Sequence, residues 1–242
     1  MQTKLTLFTL PFAGGNFYSY RALQPYLPPT IKMLPLEPPG RGRRITEPLL
    51  SDLELMADDA LQKLRTYDLS QPYLIYGHSM GGLLGYLVIQ RLQLQHMPLP
   101  VHFIASGRRS PDKPYTRITH TLPASEFIQW LKTLGGLPQS ILDSKDMMQM
   151  ITPILQSDFK AAETFDYSQR PRMPLHIPIS AFYGTNESIS NADMANWHRE
   201  SEQPVQVEQY EGDHFFIFQV TFLNRFKQLL TEIAQQYQPT YV

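Results

Sequence analysis

The serine of segment 77–81, Gly-His-Ser-Met-Gly, is the strongest candidate for chemistry in this chain. The pattern Gly-x-Ser-x-Gly is typical of a nucleophile elbow, a sharp strand-to-helix turn that exposes the serine hydroxyl above a sheet. Its glycines avoid the clashes that bulkier residues would cause in so tight a turn. A short apolar run, 73–76, precedes the motif, and a mostly apolar stretch of helix length, 83–92, follows it. This order of strand, motif and helix favours a catalytic role for Ser79 over the alternative that the motif is an ordinary glycine-rich turn.

A serine hydroxyl needs a base at neutral pH, and histidine has a suitable pKa. The chain contains seven histidines. Where this elbow occurs, the chain order is serine, acid, histidine, with the histidine in a loop after the last strand. His214 fits this position because it follows the final strand-like run, 205–210, and precedes the final helical pattern. His78, inside the elbow, is interpreted as a packing or supporting residue whose side chain points away from the site.

The acid of such a triad should lie near the end of a strand that precedes His214, where its carboxylate can accept a hydrogen bond from the imidazole and fix its tautomer. The run 177–183 leads into Gly-Thr-Asn-Glu, and Glu187 is the first carboxylate after it. Asp193 is the alternative acid. Asp213 adjoins the histidine and is discounted, because neighbouring side chains usually diverge.

The oxyanion formed during acyl transfer requires prearranged hydrogen-bond donors. One expected donor is the backbone amide that follows the nucleophile, here that of Met80. The second is expected in segment 10–15, Leu-Pro-Phe-Ala-Gly-Gly, where small residues let the backbone approach a substrate carbonyl. Ala13 is the predicted donor and Phe12 the alternative. The same segment is also compatible with a simple glycine-rich turn.

The elements that position these residues follow from the hydrophobic pattern. Strand-like runs alternate with helix-like segments over most of the chain, which predicts an α/β fold with a mainly parallel sheet and helices on both faces. An amphipathic helix is predicted over 51–65, capped by Ser51 with Glu54 three residues later. Residues 123–167 break the alternation and predict an inserted helical lid, or else helices that pad one face of the sheet. Their helix-like segments are 124–134, 145–155 and 159–165.

Length and composition narrow the class of protein. The 242 residues suit one domain over 1–242, with 42% hydrophobic and 18% charged residues. A net charge of −1 gives no support for a nucleic-acid partner, and the absence of cysteine excludes disulfides, thiolate metal sites and a cysteine nucleophile. No run reaches the roughly 20 apolar residues of a membrane-spanning helix. The N-terminal residues 1–4 lack the features of a signal peptide, so we expect a cytoplasmic protein, with a monomer as the default.

Several segments together resemble the type II thioesterases, the stand-alone editing enzymes of nonribosomal peptide and polyketide synthases. The resemblance implies the α/β-hydrolase fold with a helical lid over an acyl pocket. It also implies hydrolysis of stalled or misprimed acyl groups from the 4′-phosphopantetheine arm of acyl or peptidyl carrier proteins, through an acyl-serine intermediate. The substrate carries the pantetheine group, so no cofactor or metal of the enzyme's own is expected. The matching segments are 11–15, 36–41 with Arg44, 77–82, 106–111, 134–136, Pro153 with 158–159, and 212–216.

One departure from the family pattern concerns the acid. The family usually has Gly-x-x-Asp after the penultimate strand, whereas residues 184–187 here read Gly-Thr-Asn-Glu. The altered acid is the only feature that favours a loss of activity. Three alternative functions stay open. They are a medium-chain fatty-acyl thioesterase, a general carboxylesterase or lipase, and a hydrolase-like binding protein without activity.

Substrate contacts are predicted from residue type. Arg41 and Arg108 are candidates for docking the carrier or its phosphate, against the alternative of a solvated face with local ion pairs. Phe12 is a candidate substrate contact. A methionine cluster could line an adaptable acyl channel, although such a cluster at helical spacing more often belongs to the core. Its members are Met147, Met148 and Met150.

Overall fold

A six-stranded parallel sheet forms the centre of the molecule. The computed structural model describes residues 5–115 and 117–237. The prediction that residues 1–4 are not part of a signal peptide falls outside these described residues. The strand order is β2-β1-β3-β4-β5-β6, and every neighbouring pair is parallel. The strands are β1 (Leu5–Leu10), β2 (Ile31–Pro35), β3 (Tyr73–His78), β4 (His102–Ser106), β5 (Ile179–Gly184) and β6 (Val205–Tyr210).

Helices connect the strands and cover the sheet. They are α1 (Leu53–Leu64), α2 (Met80–Leu94), α3 (Ala124–Leu134), α4 (Gln139–Leu142), α5 (Lys145–Glu163), α6 (Asn191–Ala195) and α7 (Val220–Gln236). Short 3₁₀ turns lie at Arg21–Tyr26, Gly42–Arg44, Tyr167–Gln169, Asn196–Arg199 and Phe216–Phe218. None of the helices within the described ranges is long and apolar enough to span a membrane.

The hydrophobic core has one layer on each face of the sheet. Strand β3 is buried throughout, and its alternating side chains enter opposite layers: Ile75 packs with α1 and α2, whereas Leu74 and Tyr76 pack with α7. Successive side chains of a strand point to opposite faces, so an apolar run of this kind requires cover on both sides. The parallel sheet with helices on both faces that the sequence predicts is thereby confirmed.

The cap of α1 differs from the prediction. Asp52, not Ser51, precedes the helix, and its carboxylate accepts hydrogen bonds from the amides of Glu54 and Leu55 at 2.8 and 3.0 Å. Both residue types satisfy free amides at a helix start, so the sequence alone leaves the choice between adjacent positions open.

The segments 145–155 and 159–165, predicted as separate, form the single 19-residue helix α5, which contains Pro153. Proline removes one hydrogen bond from a helix interior, but apolar side chains on both sides of it are buried and hold the helix together. Leu155 and Phe159 pack with Phe127 and Leu131 of α3 in a small separate core. Packing thus overrides local propensity here.

A pH-dependent contribution to stability is predicted for His102, whose Nε2 lies 2.9 Å from Ser180 Oγ on the adjacent strand. Burial lowers the pKa of His102 to about 4. The unfolded chain, with a histidine pKa of roughly 6.5, therefore takes up the proton first on acidification. The contribution of neutral His102 to the free energy of unfolding is therefore complete above the unfolded-state pKa of roughly 6.5, and it is lost as the pH falls towards 4.

We expect the unfolding free energy of His102→Gln, relative to wild type, to rise by up to roughly 3 kcal/mol between pH 7 and pH 4. Urea denaturation at several pH values measures this difference. A difference that stays constant over the range contradicts the assignment.

Candidate active site

The elbow around Ser79 has the strained geometry that its sequence predicts. Ser79 has φ 56° and ψ −119°, a conformation rare for a residue with a side chain. Its amide donates to Ser106 O at 2.7 Å, which ties the turn to the end of β4. A Cβ on Gly77 would lie 2.0 Å from Gly81 O, and one on Gly81 would lie 2.1 Å from Leu10 O. Only glycine therefore fits at these two positions.

The structure brings His214 and Glu187 together. His214 Nδ1 lies 2.5 Å from Glu187 Oε1, and Glu187 Oε2 accepts a hydrogen bond from Gly184 N at 2.6 Å. A further backbone bond, from Asn186 N to Gly212 O at 2.8 Å, joins the loops that carry the two residues. A carboxylate on Nδ1 leaves Nε2 as the free basic nitrogen, which is the tautomer that a general base needs.

Ser79, Glu187 and His214 line one cavity of about 470 Å³. Within residues 5–115 and 117–237, no hydrogen bond joins the Ser79 hydroxyl to His214. Hydrogen bonds between nucleophile and base are often longer without substrate and shorten in the complex. The arrangement therefore has the members of a serine triad around one space, in the order along the chain that the sequence predicts.

The two other carboxylates considered as acids have different partners. Asp193 Oδ2 accepts from Ser190 Oγ at 2.8 Å in a capping box at the start of α6, and it lies 3.5 Å from Arg109 Nε. Asp213 accepts a hydrogen bond from Phe215 N at 2.8 Å. Glu187 is the carboxylate bonded to the His214 ring, so the geometry supports it as the acid.

His78 is a buried neighbour of His214, the predicted base. Its Nδ1 lies 2.9 Å from Ser106 Oγ, and its ring centre lies 4.7 Å from that of His214. Burial, together with the nearby His214, lowers the pKa of His78 well below its usual value, so the ring is neutral. It is absent from the cavity lining, and its ring packs against that of His214.

The two amides predicted to form the oxyanion hole belong to neighbouring backbone segments. Met80 begins α2 directly after the nucleophile, and the close approach of Gly81 to Leu10 O brings α2 against the segment that contains Ala13. In the described part of the chain neither the Met80 nor the Ala13 amide donates to a protein acceptor. Neither residue is among those that line the cavity, and their role stays a prediction.

Two predicted substrate contacts lie elsewhere. Arg41 is 1% exposed and forms a two-point ion pair with Asp158 on α5, so it has no surface to offer a carrier protein. The Phe12 ring contacts His78 and Phe215, with ring centres 5.9 and 5.2 Å apart, and does not line the cavity. Asp158 is the partner that the sequence interpretation misses, because it lies 117 positions from Arg41.

The methionine cluster also lies away from the cavity. Met148 is buried, whereas Met147 and Met150 are 43% and 62% exposed. The apolar part of the lining comes instead from Trp130, Leu134, Phe159, Ile189 and Tyr115. Arg108 lines the cavity, and its role as a substrate contact stays a prediction. Within the described ranges no group of three or more acidic or histidine side chains could hold a metal ion.

Comparison with known proteins gives matches over almost the whole chain. The model of the thioesterase domain family matches residues 5–237. The linear gramicidin dehydrogenase LgrE of Brevibacillus parabrevis is 33% identical over 221 residues, covering 89% of this chain and 83% of that protein. The gramicidin S biosynthesis protein GrsT of Aneurinibacillus migulanus is 30% identical over 218 residues, with 89% and 84% covered.

A solved structure, the type II thioesterase BorB from the borrelidin biosynthetic cluster, matches with a TM-score of 0.82 at 28% identity. The match covers 96% of this chain and 92% of that chain. LgrE is named for a dehydrogenase, whereas the matching family model and the solved BorB structure are both named for thioesterases.

The identity of the acid can be tested by replacing each carboxylate with its amide. We expect Glu187→Gln to lower kcat for an activated aryl ester by roughly 10³- to 10⁴-fold, because the amide no longer fixes the His214 tautomer or stabilises the imidazolium. Asp193→Asn is the matched control, with an expected change of less than about threefold. Equal losses in the two variants, or a larger loss in Asp193→Asn, contradict the assignment.

Proposed function

The chain belongs to the thioesterase domain family, and from this premise we propose that it removes acyl groups from the phosphopantetheine arms of carrier proteins. It is a hydrolase with the α/β-hydrolase fold. The observation that carries the proposal is the bond between Glu187 and His214 in the cavity that also contains Ser79. GrsT is named for gramicidin S biosynthesis and BorB as a type II thioesterase of the borrelidin biosynthetic cluster, which supports an editing role beside a nonribosomal peptide or polyketide synthase.

In the proposed first step, His214 Nε2 takes the proton of the Ser79 hydroxyl as the oxygen attacks the thioester carbon. Glu187 stabilises the imidazolium that forms. The carbonyl oxygen becomes an oxyanion, which the Met80 amide and the Ala13 amide would bind. The positive end of the α2 dipole lies at Met80 and favours the same negative charge.

Collapse of the tetrahedral intermediate breaks the carbon–sulfur bond. The pantetheine thiol leaves with the proton held by His214, and an acyl ester remains on Ser79. Water, deprotonated by His214, then attacks the ester, and the second tetrahedral intermediate releases the carboxylic acid and returns the proton to Ser79. A thiol has a pKa near 8.5, so this leaving group needs less acid assistance than an alcohol.

The cavity fits an acyl group next to the nucleophile. Its volume of about 470 Å³ lies within the usual range for small-molecule sites. Trp130 and Leu134 from α3 and Phe159 from α5 supply an apolar wall. We propose that segment 123–167 serves as the lid of the acyl pocket, within a single domain.

Carrier proteins are the partners that we propose, because GrsT and BorB are both named for biosynthetic pathways and BorB for a type II thioesterase. The proposed chemistry requires only side chains, backbone amides and water, so we propose no cofactor beyond the pantetheine of the substrate. Arg108 is our candidate for the phosphate of that arm. It is 5% exposed, it lines the cavity, its Cζ lies 4.4 Å from the Tyr115 ring centre, and no carboxylate within the described ranges pairs with it. A buried cation without an acid is costly unless a ligand compensates it.

The proposed reaction can be tested by mass spectrometry of the pantetheine arm after incubation with several acyl-carrier proteins. We expect wild type to deacylate them and Ser79→Ala to leave the acyl groups in place, because the nucleophile is gone. Simple alkyl esters of matched chain length separate a thioesterase from a general esterase. Equal deacylation by both proteins, or by neither, overturns the proposal.

The role of Arg108 can be tested with an acyl thioester of 4′-phosphopantetheine and the same thioester of pantetheine. We expect Arg108→Gln to reduce the preference in kcat/KM for the phosphorylated arm by about tenfold or more, because a charge-assisted bond is lost. Arg172→Gln, an exposed arginine outside the cavity, is the control. An unchanged preference in Arg108→Gln contradicts the assignment.

A further inference from the structure

The segment that contains Ala13 is a closed turn. Gly15 N donates to Phe12 O at 2.8 Å, and Gly14 has φ 74°. A positive φ at the third residue is the requirement of a type II turn. The central peptide of this turn joins Ala13 to Gly14 and carries the Gly14 N–H. Its orientation sets the ψ angle of Ala13 and the φ angle of Gly14, and therefore the shape of the turn.

A carboxylate from a distant helix holds that central peptide. Gly14 N donates to Asp158 Oδ2 at 2.7 Å, and Asp158 is fully buried on α5. Arg41 fixes the carboxylate in turn, with Nη2 at 2.7 Å from Oδ1 and Nη1 bonded to Oδ2. Burial raises the pKa of Asp158, and the Arg41 charge and the Gly14 amide oppose that rise.

Apolar contacts from the same helix reinforce this hold. A Cβ on Gly14 would lie 2.4 Å from Leu155 Cδ2, one turn before Asp158, so the turn packs tightly on α5. Ala13 packs against the cluster that contains Leu155 and Phe159. The turn therefore has both a polar and an apolar attachment to α5, and it cannot rotate without breaking one of them.

We propose that Asp158 is a positioning residue for the oxyanion hole. By holding the Gly14 N–H it fixes the central peptide, and it thereby aims the adjacent Ala13 N–H at the oxygen that becomes negative when Ser79 attacks. Arg41 orients the carboxylate through two hydrogen bonds, so the ion pair serves catalysis as well as folding. This inference rests on the proposed function, since it assigns a support for the Ala13 donor.

The test must separate positioning from stability, because removing one partner of a buried ion pair destabilises a protein strongly. The double variant Arg41→Met with Asp158→Leu removes both charges and fills the space with apolar side chains, which often preserves stability. The single variant Asp158→Asn keeps an oxygen that can accept from Gly14 N. The matched control is Arg225→Met with Glu208→Gln, which removes the ion pair between β6 and α7.

Two readouts report on the oxyanion hole directly. The first is kcat and KM for an acyl-pantetheine thioester. The second is the affinity for an alkyl boronic acid, whose adduct with serine places a negative oxygen in the hole. We expect the Arg41/Asp158 double variant to lose about 10²-fold in kcat and a similar factor in boronate affinity, as when one oxyanion donor is removed. KM should change by less than about threefold, and Asp158→Asn should retain an intermediate kcat.

The proposal is overturned if a folded double variant, with an unfolding temperature near that of wild type, retains kcat and boronate affinity within about threefold. Should the double variant not fold, Asp158→Asn decides alone: a kcat equal to wild type overturns the proposal, and a parallel loss of kcat and boronate affinity supports it. Failure of the proposed function can be told apart from failure of this proposal, because the wild-type protein itself would then not hydrolyse the thioester.

Discussion

The structure depends on a close approach of three backbone segments at the elbow. No side chain fits between Gly77 and Gly81, or between Gly81 and the carbonyl of Leu10, and Ser79 has a backbone conformation that costs on the order of 1–3 kcal/mol. Burial of β3 and α2 on both sides of the turn offsets that cost. As a result, Ser79, the start of α2 and the end of β1 meet at a single point.

Buried carboxylates hold the loops around that point. Glu187 accepts from Gly184 N as well as from His214, and Asp158 accepts from Gly14 N. Glu163, at the cavity wall, accepts from the amides of Thr119 and His120 at 2.9 to 3.0 Å and lies 2.6 Å from His120 Nδ1. Hydrogen bonds to ionised acceptors are stronger than neutral ones, so each carboxylate fixes a segment that lacks strand or helix partners. Two of the three carboxylates, Asp158 and Glu163, belong to α5, so this helix orders part of the site from outside its loops.

The sequence contains enough to predict the chemistry but not its support. Ser79, His214 and Glu187 can be found because each follows a strand, and the ends of parallel strands meet at one edge of the sheet. The Asp158–Arg41 pair cannot be found in this way. Both residues fall in segments that carry the family resemblance, but they lie 117 positions apart and nothing in the sequence pairs them. Burial of Arg41 follows from tertiary packing alone, and a surface role is therefore the wrong expectation for it.

Helix α5 supplies Phe159 to the cavity wall and, in the adjacent position, Asp158 to the turn that contains Ala13. A shift of α5 away from the cavity would also strain the hydrogen bond between Asp158 and Gly14 N. If the cavity binds the acyl group as proposed, exchange of α3 side chains such as Trp130 or Leu134 would alter the size that it accepts and leave the Asp158–Gly14 hydrogen bond intact. For redesign of acyl selectivity, α3 is the element to vary and α5 the element to leave in place.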